Sequence, residues 1–366
     1  MSNVAVIEQL SPLSDDECQA RIVAARQALG ARVVILGHHY QREEVFRHAD
    51  YSGDSLQLSR WAAQSQADYI IFCGVHFMAE VADILSRPQQ IAILPSLAAG
   101  CSMADMANLA KVERAWRELT EVLGAADQRV TPVTYINSAA DLKAFCGRHG
   151  GIVCTSSNAR AVLEWSYGRR DKVLFFPDQH LGRNTAYRMG MPLEDMVVWD
   201  FELPYGGLTP EQIRAARLIL WKGFCSVHQM FRPEHIDRFK QKFPDTLVIA
   251  HPEASFEVCQ QSDYVGSTEF IVKTIAAAAP GTRWLVGTEL NLVNRLHDQF
   301  KADGKHVHFM SPTVCMCSTM FRTDPPSLLR VLEGLIEGTV INRITVAERD
   351  AEQARLALQR MFDVSV

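Results

Sequence analysis

The sequence has no C-x-x-C anywhere, although it holds nine cysteines. Its tightest spacing is the C-x-C of Cys315 and Cys317, so a simple zinc or ferredoxin pattern is excluded. It has no Lys/Arg block and no basic stretch interleaved with aromatics. With a formal net charge of −5, it is not expected to bind nucleic acid. Uncharged apolar runs of about 18 residues are also missing, so no transmembrane helix and no membrane partner are expected. The most apolar stretch, Ile91 to Ala104, is interrupted by Pro95 and Gly100. The start, Met1 to Ser11, carries Glu8 and has neither a basic opening nor an apolar core, so no signal peptide is read there. A cytoplasmic protein is expected, in which cysteines serve as thiols or metal ligands instead of disulfides.

What is present is ordinary globular composition. The 366 residues are 48% hydrophobic and 22% charged, enough for two or three domains and a large core without staples. Ser14 is placed to cap an opening helix with Asp15, Asp16 and Glu17 in its first turn and Gly30 at its end. Short apolar runs then alternate with helical stretches, the pattern of an α/β fold with mainly parallel sheets. The expected strands are Arg32–Leu36, Tyr69–Phe72 and Ile91–Leu94, then Thr131–Ile136, Gly151–Cys154 and Lys172–Phe176. The third set is Thr246–Ala250, Ser262–Val265 and Arg283–Val286. The sets form a faint repeat of roughly 100 residues. Their strands run into His38-His39-Tyr40, Tyr135-Ile136-Asn137 and His251-Pro252-Glu253, and into the small polar starts near His76, Ser156 and Ser267. Third strands run into Pro95-Ser96, Pro177-Asp178 and Gly287-Thr288-Glu289. Ligands of open α/β sheets bind beyond the carboxyl ends of strands, so three such ends facing one another predict one shared central site. Glu202 to Pro210 reads as a loop between the second and third sets, and Thr345 to Met361 as a surface helix.

Several segments together resemble the quinolinate synthase family over nearly the whole chain. They are Ile35-Leu36-Gly37-His38-His39-Tyr40-Gln41, Ala49-Asp50-Tyr51-Ser52-Gly53-Asp54-Ser55-Leu56 and Gly74-Val75-His76-Phe77-Met78-Ala79-Glu80. Gly100-Cys101-Ser102-Met103-Ala104, Tyr135-Ile136-Asn137-Ser138 and Gly223-Phe224-Cys225-Ser226-Val227-His228 follow. His251-Pro252-Glu253, Gly266-Ser267-Thr268 and Cys317-Ser318-Thr319-Met320 complete the series. The resemblance implies three similar three-layer α/β/α domains with short parallel sheets around a pseudo-threefold axis. The expected edges are 30–128, 129–216 and 217–311, with terminal helices and a cluster loop in 1–29 and 312–366.

It also implies a 4Fe–4S cluster held by Cys101, Cys225 and Cys317. Cys317 is preferred to Cys315 because the family's cysteine is followed three residues later by methionine, here Met320. Some relatives carry C-x-x-C-x-x-C here; this chain has only C-x-C, which argues against a thiol switch between neighbours. Three thiolates leave one iron with an open position, a Lewis acid for loss of water. The implied reaction joins iminoaspartate to dihydroxyacetone phosphate, giving quinolinate, phosphate and two waters for NAD biosynthesis. The imino acid would be supplied by L-aspartate oxidase or aspartate dehydrogenase.

Such chemistry needs repeated proton transfers near neutral pH, which suit His and carboxylates at strand ends. The catalytic candidates are Tyr40, Tyr135, His228, His251 and Glu253, with Glu253 as general base and the tyrosines as donors. His38, Ser55, Asn137, Ser156, Ser267 and Thr268 are candidates to hold the anionic substrates. Simpler readings compete. Cys18, Cys73, Cys146, Cys154 and Cys259 are expected as small buried apolar residues, and His39 and His76 as structural. Asp54 suits a helix cap as well as a substrate contact. Two rival functions remain open: a cluster-free or zinc-dependent phosphosugar lyase or isomerase, and an α/β solute-binding module.

Overall fold

The computed structural model describes residues 13–314 and 316–365. Met1 to Ser11, where no signal peptide is read, and Cys315 lie outside the described residues. The first sheet contains β1 (Val33–His38), β2 (Tyr51–Gly53), β3 (Tyr69–Cys73) and β4 (Ile91–Ile93), all parallel. The second contains β5 (Val130–Tyr135), β6 (Ile152–Cys154), β7 (Lys172–Phe176), β8 (Met196–Trp199) and β9 (Leu218–Trp221), in the order β6-β5-β7-β9-β8. The third contains β10 (Leu247–Ala250), β11 (Tyr264–Val265), β12 (Arg283–Gly287) and β13 (His306–Phe309), in the order β11-β10-β12-β13. A last short strand, β14 (Arg343–Ile344), returns antiparallel onto β4 and closes the first sheet as β14-β4-β3-β1-β2.

The packing explains why the strands read as unbroken apolar runs. Every residue of β1 is buried, as a parallel strand covered on both faces requires. Its Val33 and Ile35 join Ile71 and Ile93 in a core with Ile22, Leu29, Leu328 and Leu332 of the helices Asp15–Leu29 and Pro325–Ile336. Val34 and Leu36 point the other way, into a core shared with Ile70, Phe72 and the helices Ser55–Gln64 and His76–Leu85. The opening helix is capped as its sequence suggests: Oγ of Ser14 accepts the Glu17 N–H at 3.2 Å, and Gly30 leaves the helix at φ 53°.

All nine expected strands are present with ends within two residues of those expected. β2, β8, β9, β13 and β14 escaped the reading because strands of two to four residues carry too few positions to show a period. One correction follows. The loop Glu202 to Pro210 lies between β8 and β9, inside the second sheet, and does not separate the second set from the third. β9 also lies past the edge expected at 216. In that loop Gly206 sits at φ 66°, and a Cβ there would come 2.4 Å from the ring of Trp199.

A second correction concerns the last helix, Glu348–Asp363, which is an integral layer instead of a surface element. It buries Ala351, Ala354, Ala357, Leu358 and Met361 and packs along Ala140–Arg148, leaving Leu356 outside. The two backbones meet at Gly147, where a Cβ would fall 1.9 Å from the carbonyl oxygen of Gln353.

Candidate active site

The carboxyl ends of strands from all three sheets open onto one cavity. β1 delivers His38 and Tyr40, β5 delivers Tyr135 and Asn137, β6 delivers Ser156, and β10 delivers His251 and Glu253. Ser55 and Thr268, the first residues of the helices Ser55–Gln64 and Thr268–Ala277, also line it, with His228 and the three cysteines Cys101, Cys225 and Cys317. Of the catalytic, substrate-holding and cluster candidates, Ser267 alone is off the wall. It caps its helix instead, its Oγ accepting the Phe270 N–H at 3.3 Å, and Thr268 takes the cavity position. Cys18, Cys73, Cys146, Cys154 and Cys259 are buried elsewhere. His39 and His76 also lie off the wall, paired with Glu269 at 3.3 Å and Glu80 at 3.6 Å. Asp54 does both things weighed for it: it lines the cavity while Oδ1 accepts the Gln57 N–H at 3.0 Å, and Oδ2 accepts from Ser157.

The three cysteines share one local geometry. Each opens a single helical turn, in which its carbonyl accepts the N–H four residues on: Asp105 on Cys101 at 3.1 Å, Gln229 on Cys225 at 3.1 Å, and Phe321 on Cys317 at 3.0 Å. That turn aims main-chain N–H groups at the sulfur, from Ala104 and Met103, from His228, and from Met320 and Thr319. Such N–H to sulfur contacts are the usual surroundings of thiolate ligands in iron–sulfur sites. Burial pushes Cys101 up to about 12 and raises Cys225 and Cys317; Cys317 raises Cys101 further, and Glu253, Cys317 and Cys101 raise Cys225. Thiols this reluctant to ionise are inert alone; a bound cation makes them thiolates. The donor set therefore fits a thiolate-held cluster. All three pack against the same apolar core, with Val75, Phe77, Met78 and Met103 on the cavity wall.

A polar chain crosses the cavity floor. The Tyr40 hydroxyl lies 2.7 Å from Oγ1 of Thr288, which lies 3.4 Å from Nε2 of His228. Nδ1 of His228 is 2.9 Å from Oε2 of Glu253, a bent contact, more electrostatic than a straight hydrogen bond. Oε1 of Glu253 accepts the Tyr135 hydroxyl at 2.6 Å. Burial works against the Glu253 carboxylate, but His251, His228 and Tyr135 outweigh it and hold the group below the usual carboxylate range. Burial, then the Glu253 charge, raises both tyrosines well above their ordinary value, so they stay donors. Burial holds His38 and His251 neutral, each down to about 3.

Two wall atoms are left open. Oδ1 of Asn137 and Oγ1 of Thr268 are buried and find no hydrogen-bond partner among the described residues. Buried polar atoms are nearly always paired, so these two are available to a group that enters the cavity. Sequence reading missed Thr288, which bridges Tyr40 and His228, and Glu289, which lines the cavity and accepts the Cys317 N–H at 3.2 Å. The available signal was the third strand end of the repeat, Gly287-Thr288-Glu289.

The family model described as quinolinate synthetase A protein matches residues 20–363. The quinolinate synthase of Herpetosiphon aurantiacus is 53% identical over 359 residues, covering 98% of this chain and 95% of that protein. That of Rhodopirellula baltica is 55% identical over 364 residues, covering 96% and 92%. That of Geobacillus thermodenitrificans is 50% identical over 358 residues, covering 97% and 95%. The match runs from the opening helix to the last one and takes in every strand that feeds the cavity, and the chain belongs to the quinolinate synthetase A family.

Proposed function

We propose that this chain is a cytoplasmic quinolinate synthase that condenses iminoaspartate with dihydroxyacetone phosphate to give quinolinate, phosphate and two waters for NAD biosynthesis. The observation that carries this reading is the repeated helical turn at Cys101, Cys225 and Cys317 on the wall of one cavity that also holds the polar chain. Those cysteines would hold a 4Fe–4S cluster. When bound, it supplies an iron with an open position, a Lewis acid toward a substrate hydroxyl or carboxylate.

The remaining work falls to side chains. Among the described residues the cavity wall carries no Lys or Arg, so the anionic substrates are held by hydroxyls, amides and helix starts. Ser55 and Thr268 open helices of ten residues each, whose N-terminal N–H groups favour negative charge. Asn137, Ser156 and His38 complete that wall. Proton transfer runs along Tyr40, Thr288 and His228, with Tyr135 as a further donor held by Glu253. A carboxylate held so low is a weak base, so Glu253 serves as the fixed charge that orients His228 and Tyr135, with His228 exchanging the proton. His251, neutral and 3.9 Å from Glu253, stands beside it as a second imidazole. The unstable imino acid fits supply by L-aspartate oxidase or aspartate dehydrogenase.

One observation favours a second reading. Ligand atoms of Cys225, His228 and Glu253 lie within 4.8 Å of one another, a grouping that suits a single divalent ion in a zinc-dependent lyase. Anaerobic purification separates the two. The first reading expects a brown protein that forms quinolinate from dihydroxyacetone phosphate and iminoaspartate generated in place, and that loses activity when iron is chelated. A colourless protein active with zinc would replace it with the second.

A further inference from the structure

His251 and Glu253 sit on a buried turn whose main chain does not satisfy itself. The His251 N–H reaches the carbonyl of Gly287 at 2.9 Å, and the His251 carbonyl accepts the Ala254 N–H at 3.0 Å. The next three carbonyls, of Pro252, Glu253 and Ala254, belong to buried residues and receive no main-chain N–H among the described residues. Buried carbonyls need donors, and here side-chain amides supply them. Nδ2 of Asn184 donates to the carbonyls of Pro252 and Ala254, at 2.9 Å each. Nε2 of Gln229 lies 3.4 Å from the carbonyl of Glu253.

Asn184 comes from the helix Gln179–Arg188, which packs on the second sheet, whereas the turn follows β10 of the third. Its amide nitrogen grips the carbonyls on either side of Glu253 and also lies 3.2 Å from Sγ of Cys259. Asparagine provides two N–H donors on one short stem, a pair that Ser, Thr and Asp lack. The side chain is 1% exposed and is not part of the wall of the cysteine-lined cavity, so its effect on the reaction is indirect. We propose that Asn184 is a positioning residue that sets the Glu253 carboxylate against Tyr135 and His228. The inference rests on the orienting role given to Glu253 above.

The test uses the cluster-loaded enzyme with Asn184→Leu, which keeps the shape and removes both donors, and Asn184→Ser, which restores one. Rates are normalised to cluster content, so a loss of folded protein does not count. Asn184→Leu is expected to lower kcat about tenfold to 100-fold, the cost of small misplacements in a preorganised site, with the KM for dihydroxyacetone phosphate changed less than about threefold. Asn184→Ser is expected to fall between Leu and parent. If the Leu variant does not fold, the Ser variant decides alone, by a severalfold lower kcat at unchanged KM. A kcat within about twofold of the parent in whichever variant decides, or a loss in Leu that Ser does not reduce, overturns the proposal. Glu253→Gln, assayed in parallel, separates the two levels. Full turnover there sinks the reading of Glu253, whereas an inactive Glu253→Gln beside a fully active Asn184→Leu sinks this inference alone.

Discussion

The Tyr135 hydroxyl and Oε1 of Glu253 are 2.6 Å apart although the residues are 118 positions apart in the chain. This bond ties the end of β5 in the second sheet to the turn after β10 in the third, inside the cavity where the cysteines meet. Removing the hydroxyl leaves Glu253 with its histidine contacts alone. Tyr135→Phe is expected to destabilise the fold by about 1–3 kcal/mol, as for other hydrogen bonds to buried charge. It should also reduce kcat at least about tenfold. Denaturant unfolding and steady-state rates read the two effects; an unchanged kcat would remove Tyr135 from proton transfer.

Glu253→Gln keeps the side-chain shape and removes the charge between His228 and Tyr135. Turnover is expected to fall about 100-fold to 10,000-fold, the range of a lost acid–base group, because His228 loses the charge that orients it for proton exchange. Iron and sulfide content should equal the parent's, since the cysteine turns do not depend on that charge. Parental turnover in the Gln variant would exclude the orienting role.

Thr268 offers a buried hydroxyl with no partner among the described residues. Thr268→Val keeps the volume and removes the oxygen. The KM for an anionic substrate is expected to rise about tenfold, the cost of one lost polar contact to a charged group, with a smaller effect on kcat. An unchanged KM for both substrates would show that the hydroxyl does not touch them.

Lys143 provides a pH-dependent test away from the cavity wall. Burial, opposed by Glu80 and Asp141, holds its ammonium down to about 8 against an ordinary 10.5. Between those values the unfolded chain binds the proton more tightly. The contribution of Lys143 to stability is therefore present above 10.5 and lost as the pH falls through 8. The shift corresponds to about 3 kcal/mol. In denaturant unfolding, the parent should gain on Lys143→Met by roughly that amount from about pH 7 to about pH 10.5. A difference constant with pH would contradict the burial argument.

The legible part of the site was its strand ends. A parallel strand buried up to its carboxyl end that runs into His38-His39-Tyr40 or His251-Pro252-Glu253 stops looking like core where the cavity begins. Hydroxyls at a helix start were harder to separate. Ser267 and Thr268 are adjacent, and a rotation of about 100° per residue decides which one caps and which one faces the cavity. Asn184 left no signal, because nothing local marks a helical amide that reaches a carbonyl 68 positions away. Thr288 stands in a strand end that could be read, but its role as a bridge exists only once Tyr40 and His228 come together from distant segments. Among the strands, β8 and β9 were lost because four residues flanked by loop do not declare a period.

The central claim is that Cys101, Cys225 and Cys317 together hold one iron–sulfur cluster. Iron and acid-labile sulfide counted anaerobically in the parent and in Cys101→Ala, Cys225→Ala and Cys317→Ala test it most directly, with Cys73→Ala in the core of the first sheet as the control. The account predicts the full 4Fe–4S complement in the parent and the control, and loss of most of it in each of the three single variants. A parent free of iron, or three variants as rich in iron and sulfide as the parent, would contradict it.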